Sequence, residues 1–159
     1  MAGAIDPTLR LAEMERLRTR PTENLGAYDL YLRALPHRFA AREANDEALL
    51  LLRRAVALDR GFVAARGALA GLHVVRFTQG WATPDDLDEG VRCAREVVEQ
   101  GGAEDPSALA LAARALSYLG RDYAAGLAAA NRALLLAPCS ALVLLVCGTI
   151  RAYTNALKA

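Results

Sequence analysis

The chain has 159 residues, 54% of them hydrophobic and 6% aromatic, with a formal charge of +1. That length supports one compact domain or a short repeat array with a continuous core. Residues 1–60 carry ten Arg against nine Asp or Glu, and residues 61–159 carry nine Lys or Arg against nine acids. No basic face is implied, which argues against a nucleic-acid partner.

Three cysteines, Cys93, Cys139 and Cys147, show no paired spacing. They are read as small core hydrophobes in a reducing compartment, so the expected location is cytoplasmic. The start, Met1 to Pro7, lacks the basic region and apolar core of a signal peptide. The most apolar run, Ala141 to Ile150, is ten residues long. A membrane span needs ~20, so a buried helix is expected there and no membrane contact.

Taken in order, Asp6-Pro7 caps a first, lead-in helix within 1–20, which Arg20-Pro21 ends. Thr22 caps a helix over 23–36, and a polar connection over 37–45 leads to another over 46–59. A further helix over 62–77 holds Gly67, Ala68, Ala70 and Gly71, which permit close helix approach. Gln79 to Ala82 form a loop. Thr83-Pro84-Asp85-Asp86 then starts a helix that Gly101-Gly102 stops. Asp105-Pro106 starts the next, to Leu119, and Gly120-Arg121-Asp122 turns the chain. Helices over 123–137 and 141–157 follow, separated by Pro138 and capped at Ser140.

A pattern recurs along these elements. Ala48, Leu52 and Ala55 are spaced four and three apart, as are Gly90, Ala94 and Val97, and Gly126, Ala130 and Ala133. Such spacing puts each trio on one helical face. The copies begin 42 and 36 residues apart, the period of stacked helical hairpins. The expected fold is all-α: helix-turn-helix hairpins over 22–60, 61–102 and 105–138, and a last helix over 140–157.

Leu119-Gly120-Arg121-Asp122-Tyr123, with Gly126, Ala130, Ala133 and Pro138, resembles the second half of a tetratricopeptide repeat. Leu109, Ala112, Ala113 and Leu116 fit its outgoing helix; Leu69, Ala70 and His73, and Cys147 and Gly148, fit other units. Arg60 and Gly102 depart from the closing proline, and the first two turns are longer than the pattern. The resemblance implies an α-solenoid, a right-handed superhelical stack. Pro21 to Ala34, Gln79-Gly80-Trp81 and Ala2 to Pro7 resemble the repeat region of bacterial adenylate/guanylate cyclase-like proteins. That implies a non-catalytic module for protein contact or regulation. The alternative is the end of a cyclase whose catalytic domain lies outside this chain.

No catalytic, cofactor or metal residues are expected. No phosphate-cradling glycine motif occurs, and no strand is expected to hold a metal-binding pair of aspartates. His37 and His73 lack ligand spacing. They are read as a loop histidine and a partly buried core histidine. Asp85, Asp86, Asp88 and Glu89 are read as acids at a helix N-terminus. Trp81 either plugs the base of a hairpin or offers a contact.

In a tetratricopeptide stack the outgoing helices line a groove. That register would place Asp29, Arg33, Gly67, Gly71, Ser107, Arg114, Ser117 and Tyr118 there. Arg33, Arg114 and Tyr118 would anchor an acidic or extended peptide. On the last helix, Leu142, Leu145, Val146, Thr149, Tyr153 and Ala156 are expected to pack inward. Val143, Cys147, Ile150 and Leu157 would form an outward face for a homodimer.

Overall fold

The computed structural model describes residues 22–100 and 105–156. The lead-in helix, Leu157 and the Gly101-Gly102 stop lie outside these. The described residues form seven α-helices and no strand. They are α1 (Leu25–Ala34), α2 (Arg42–Leu58), α3 (Val63–Thr78), α4 (Pro84–Glu99), α5 (Pro106–Tyr118), α6 (Tyr123–Leu136) and α7 (Ala141–Ala156). Each packs on the next. In addition α3 packs on α5, and α5 on α7, so these three lie side by side.

All nine residues of the three recurring trios are buried. Their small members mark close approach. A Cβ on Gly90 of α4 would come 2.9 Å from Cβ of His73 on α3. A Cβ on Gly126 of α6 would collide with Oγ of Ser117 on α5. Gly67 does the same between α3 and α5, where its Cβ would stand 2.7 Å from both Cα and Cβ of Ala108. Gly67 and Gly71 are therefore sealed in a helix crossing and line no groove.

Capping residues set most boundaries. Thr83 and Asp86 form a reciprocal capping box, and Asp105 and Asp122 accept from Ala108 N and Ala125 N. At α1 the cap is Asn24, which accepts from Ala27 N. Thr22 instead donates from its hydroxyl to Asp59 Oδ2, and Asn24 Nδ2 donates to Leu58 O. Both tie the start of α1 to the end of α2. Pro36 cannot donate to a helical ladder, so α1 gives way to a 3-10 turn over Leu35–His37. The expected connection over 37–45 is shorter: α2 already starts at Arg42. Asn45 is buried in its first turn and donates from Nδ2 to Arg38 O, 2.9 Å away.

The last helix is rotated from expectation. Val143, Val146, Cys147 and Ile150 are buried, packed with Leu109, Ala113, Ala130 and Ala133 of α5 and α6. Cys147 Sγ reaches Ala130 O at 3.1 Å. Val143, Cys147 and Ile150 thus form the inner face and are unavailable to a partner. Leu142, Leu145 and Tyr153 are exposed instead.

Candidate functional site

The densest chemistry in the structure is a buried polar network where α2, α3 and α4 meet. The stripe that α4 turns inward begins with charge: Asp86 lies one turn before Gly90, and Glu89 beside it. Opposite, α3 contributes His73, with no exposed surface, and Arg76, 6% exposed. Asn45, Asp46 and Arg53 come from α2.

His73 Nε2 lies 2.9 Å from Glu89 Oε2. Its Nδ1 lies 3.6 Å from Asp86 Oδ1, too far for a hydrogen bond, and has no other partner. Arg53 donates from Nε and Nη2 to the two oxygens of Glu89 at 2.5–3.1 Å. Arg76 Nη1 donates to Asn45 Oδ1 at 2.9 Å and to Asp46 Oδ1 at 2.5 Å. Its Nε faces Asp86 Oδ2 at 3.4 Å. The Thr83 backbone N–H donates to the same Asp86 oxygen at 2.9 Å. Asp86 therefore caps its own helix and joins the network.

These contacts set the charges. Burial alone would raise the pKa of Glu89. Hydrogen bonds from His73 and Arg53, with their charge, outweigh it and hold the carboxyl at about 2. Burial likewise opposes ionisation of Asp86. The Thr83 N–H and nearby Arg76 and His73 prevail and lower its pKa. One turn along α4, burial with Glu89 and Glu96 nearby pushes the Cys93 thiol up to about 11. At neutral pH Cys93 is a protonated thiol and no nucleophile.

One ligand atom each from His73, Asp86 and Glu89 lie within 4.8 Å of one another. Those distances would suit a metal ion, but the surrounding charge does not. Arg53 grips Glu89 as a two-pronged fork, and Arg76 faces Asp86. A cation entering here would first have to displace a guanidinium. The arrangement works as an internal ion network that fastens α2 to the α3–α4 hairpin.

A depressed carboxylate pKa contributes stability above the ordinary value and loses it as pH falls through the folded one. For Glu89 that window runs from about 4.5 down to about 2. The melting temperature is expected to fall across it, and Glu89→Gln should flatten that slope while lowering stability at neutral pH. Circular dichroism melts from pH 7 to pH 2 check this; an unchanged slope in the variant would contradict it.

The acids read as helix-terminal charges divide: Asp85 and Asp88 are exposed, while Asp86 is buried and Glu89 half-buried. His73 is fully buried, and His37 is half-buried in the 3-10 turn. The network was missed because apolar periodicity counts Asp, His and Arg as outward-facing. One signal was present: Asp86 stands four residues before Gly90, on the buried stripe of α4.

The expected groove residues do not gather into one site. Asp29 and Arg33 form an exposed pair at 3.7 Å within α1. Arg114 lies over the Tyr118 ring at 5.7 Å, and Tyr118 stacks on Tyr153 at 5.3 Å. Ser117 is buried and donates to Ala113 O, so it offers no groove contact. Its hydroxyl is satisfied inside α5, where α6 covers it. Trp81 is half-buried at the α3–α4 turn, its backbone N–H donating to Arg76 O. An open groove of about 580 Å³ runs along α4 past Arg92, Arg95, Glu96 and Leu119, its charges mixed in sign.

Among the described residues, fold and network together define an all-helical unit braced by internal charge, with no strand. No helix among those residues is long and apolar enough to cross a membrane. No protein-family model matches the chain. The chain is similar to a Rhizobium meliloti (strain 1021) protein named "Putative adenylate cyclase 3", at 34% identity over 127 residues. The match takes in 76% of this chain and 21% of that protein. The chain therefore spans about a fifth of the length of the curated relative it matches.

Proposed function

We propose that this chain is a non-catalytic protein-interaction module of a cyclase-like signalling protein, built from tetratricopeptide-like hairpins stacked as a right-handed solenoid. It acts in the cytoplasm by holding a protein or peptide partner, and needs no cofactor. The observation that carries this is the packing order: consecutive helices pair, and α3, α5 and α7 lie side by side. Exposed Asp29 and Arg33 on α1, and Arg114 over Tyr118 on α5, are the contacts it would use. The second reading is that the chain is the non-catalytic end of an adenylate or guanylate cyclase. It draws on the match to one stretch of a much longer protein whose printed name is that of a putative adenylate cyclase.

Both readings give the same expected result for the purified chain: no cyclic nucleotide from ATP or GTP with Mg²⁺ or Mn²⁺. Turnover that scales with protein would overturn both. A two-hybrid screen of the encoding genome separates the module from an inert scaffold. Arg33→Glu and Arg114→Glu should weaken capture of a partner without lowering the melting temperature. Capture indifferent to both substitutions would remove these two contact assignments.

A further inference from the structure

Arrays of helical hairpins repeat their interfaces from one neighbour to the next. Counted from the recurring trios, Asp46, Arg53 and Asp86 at the first junction correspond to Asp88, Arg95 and Asp122 at the second. The first joins α2 and α4; the second joins α4 and α6. The contact is repeated as well. Arg53 Nη2 lies 3.7 Å from Asp86 Oδ1, and Arg95 Nη2 lies 3.8 Å from Asp122 Oδ2. What differs is the filling. At the first junction α3 sends in Arg76, buried, to face Asp46 and Asp86 together. At the second, α5 has no counterpart. Its one cation, Arg114, lies over the Tyr118 ring.

The corresponding space is open. The groove of about 580 Å³ runs from Asp88 to Gly120. A cavity of about 160 Å³ shares Arg95 and Glu99 with it and reaches Asp122. Four acids line the two spaces against Arg92 and Arg95. One of them, Glu96, is answered by Arg66 at 2.9 Å. That leaves Asp88, Glu99 and Asp122 for two arginines, one cation short. Described hairpins wall the cleft on both sides.

We propose that this cleft takes an arginine side chain from a protein partner, which enters between Asp88 and Asp122 as Arg76 enters between Asp46 and Asp86. Asp122 gives Oδ1 to the α6 cap, accepting from Ala125 N, and keeps Oδ2 for this contact. Asp88 and Glu99 are exposed and have no ion pair among the described residues. A guanidinium suits the cleft better than an ammonium. Its planar fork can face two carboxylates at once, and it is more weakly hydrated. Its apolar stem would lie along Val91 and Leu119, which line the same groove. This contact rests on the reading above that the chain holds a protein partner, and it uses a surface other than Arg33 and Arg114.

Selection of phage-displayed random peptides on the purified chain tests it. The binders are expected to share an arginine. Replacing that arginine with citrulline, its neutral isostere, in the synthetic peptide should weaken binding roughly tenfold or more. Asp88→Asn and Asp122→Asn should do the same, and asparagine still caps α6. Arg33→Glu and Arg114→Glu should leave these peptides bound. Asp88→Asn alone should not change the melting temperature. A marked fall would mean that a cation of this chain already fills the cleft, which overturns the proposal. Binders that tolerate citrulline or both asparagine variants would overturn it too, as would a selection with no binder. Binders lost only on Arg33→Glu or Arg114→Glu would overturn the cleft and leave the proposed module standing.

Discussion

Replacing Arg76 with alanine is expected to destabilise the chain by about 3–5 kcal/mol, the usual cost of breaking a buried ion pair from one side. Arg76 is 6% exposed and faces Asp86 on α4 and Asn45 and Asp46 on α2. Without it, Asp86 is left 4% exposed, with His73 Nδ1 at 3.6 Å and Arg53 at 3.7 Å. Neither stands within hydrogen-bond distance of that carboxylate. Asn45, fully buried, loses the donor to its side-chain oxygen, which adds an unsatisfied acceptor. The contrast is Arg33→Ala, which removes an exposed pair within one helix and should cost no more than ~0.5 kcal/mol. Urea titrations of both variants measure the difference. A loss below ~1 kcal/mol for Arg76→Ala would mean that water screens the network. Asp86→Asn should separate charge from shape, because it keeps an oxygen for the Thr83 N–H but removes the anion facing Arg76.

The helices and their spacing were legible because their signals are local. Thr83, Asp105 and Asp122 cap where they should, since a side-chain oxygen need only reach an N–H three residues on. The four-and-three spacing of Gly90, Ala94 and Val97 reports one face of one helix, and that face is buried. What could not be read depends on partners distant in sequence. His73, Arg76 and Asp86 turn inward because each finds opposite charge there, with partners on helices as far as 31 residues away. Without those partners the same residues would belong outside. The rotation of α7 was misjudged for another reason: the wheel offers only a narrow polar strip, Arg151, Asn155 and Lys158, and the face opposite that strip is not the one that packs. The contact of Cys147 with Ala130 places its inner face, and exposed Arg151 at the edge donates to Asn131; both partners lie on α6.

Gly67→Val is expected to be among the most damaging single changes outside the ion network. The residue sits where α3 crosses α5, and even a methyl there would stand 2.7 Å from Cα and Cβ of Ala108. No rotamer relieves a contact with backbone, so the helices must part. Overpacking of this kind costs roughly 1–3 kcal/mol, and a branched side chain belongs at the upper end or beyond. Gly67→Ala gives the sharper test, because two effects of opposite sign compete. Alanine in place of glycine favours a helix by about 1 kcal/mol, so the clash must exceed that before any loss appears. Gly26 in α1 supplies the reference: its added Cβ would meet only Asn24 Oδ1 at 3.5 Å and Leu58 Cδ1 at 3.7 Å, ordinary contacts. Gly26→Ala should therefore stabilise, by up to ~1 kcal/mol, while Gly67→Ala destabilises. Ala108→Gly should lower stability in the parent chain yet restore part of what Gly67→Ala loses, since it removes one of the two clashing atoms. A double-mutant cycle by urea denaturation reads that coupling directly. Strict additivity would show that α3 and α5 do not meet at Gly67 and Ala108. A positive coupling, beside stabilisation by Gly26→Ala, would establish this crossing as one of the contacts that join the α3–α4 hairpin to the α5–α6 hairpin, together with α4 against α5.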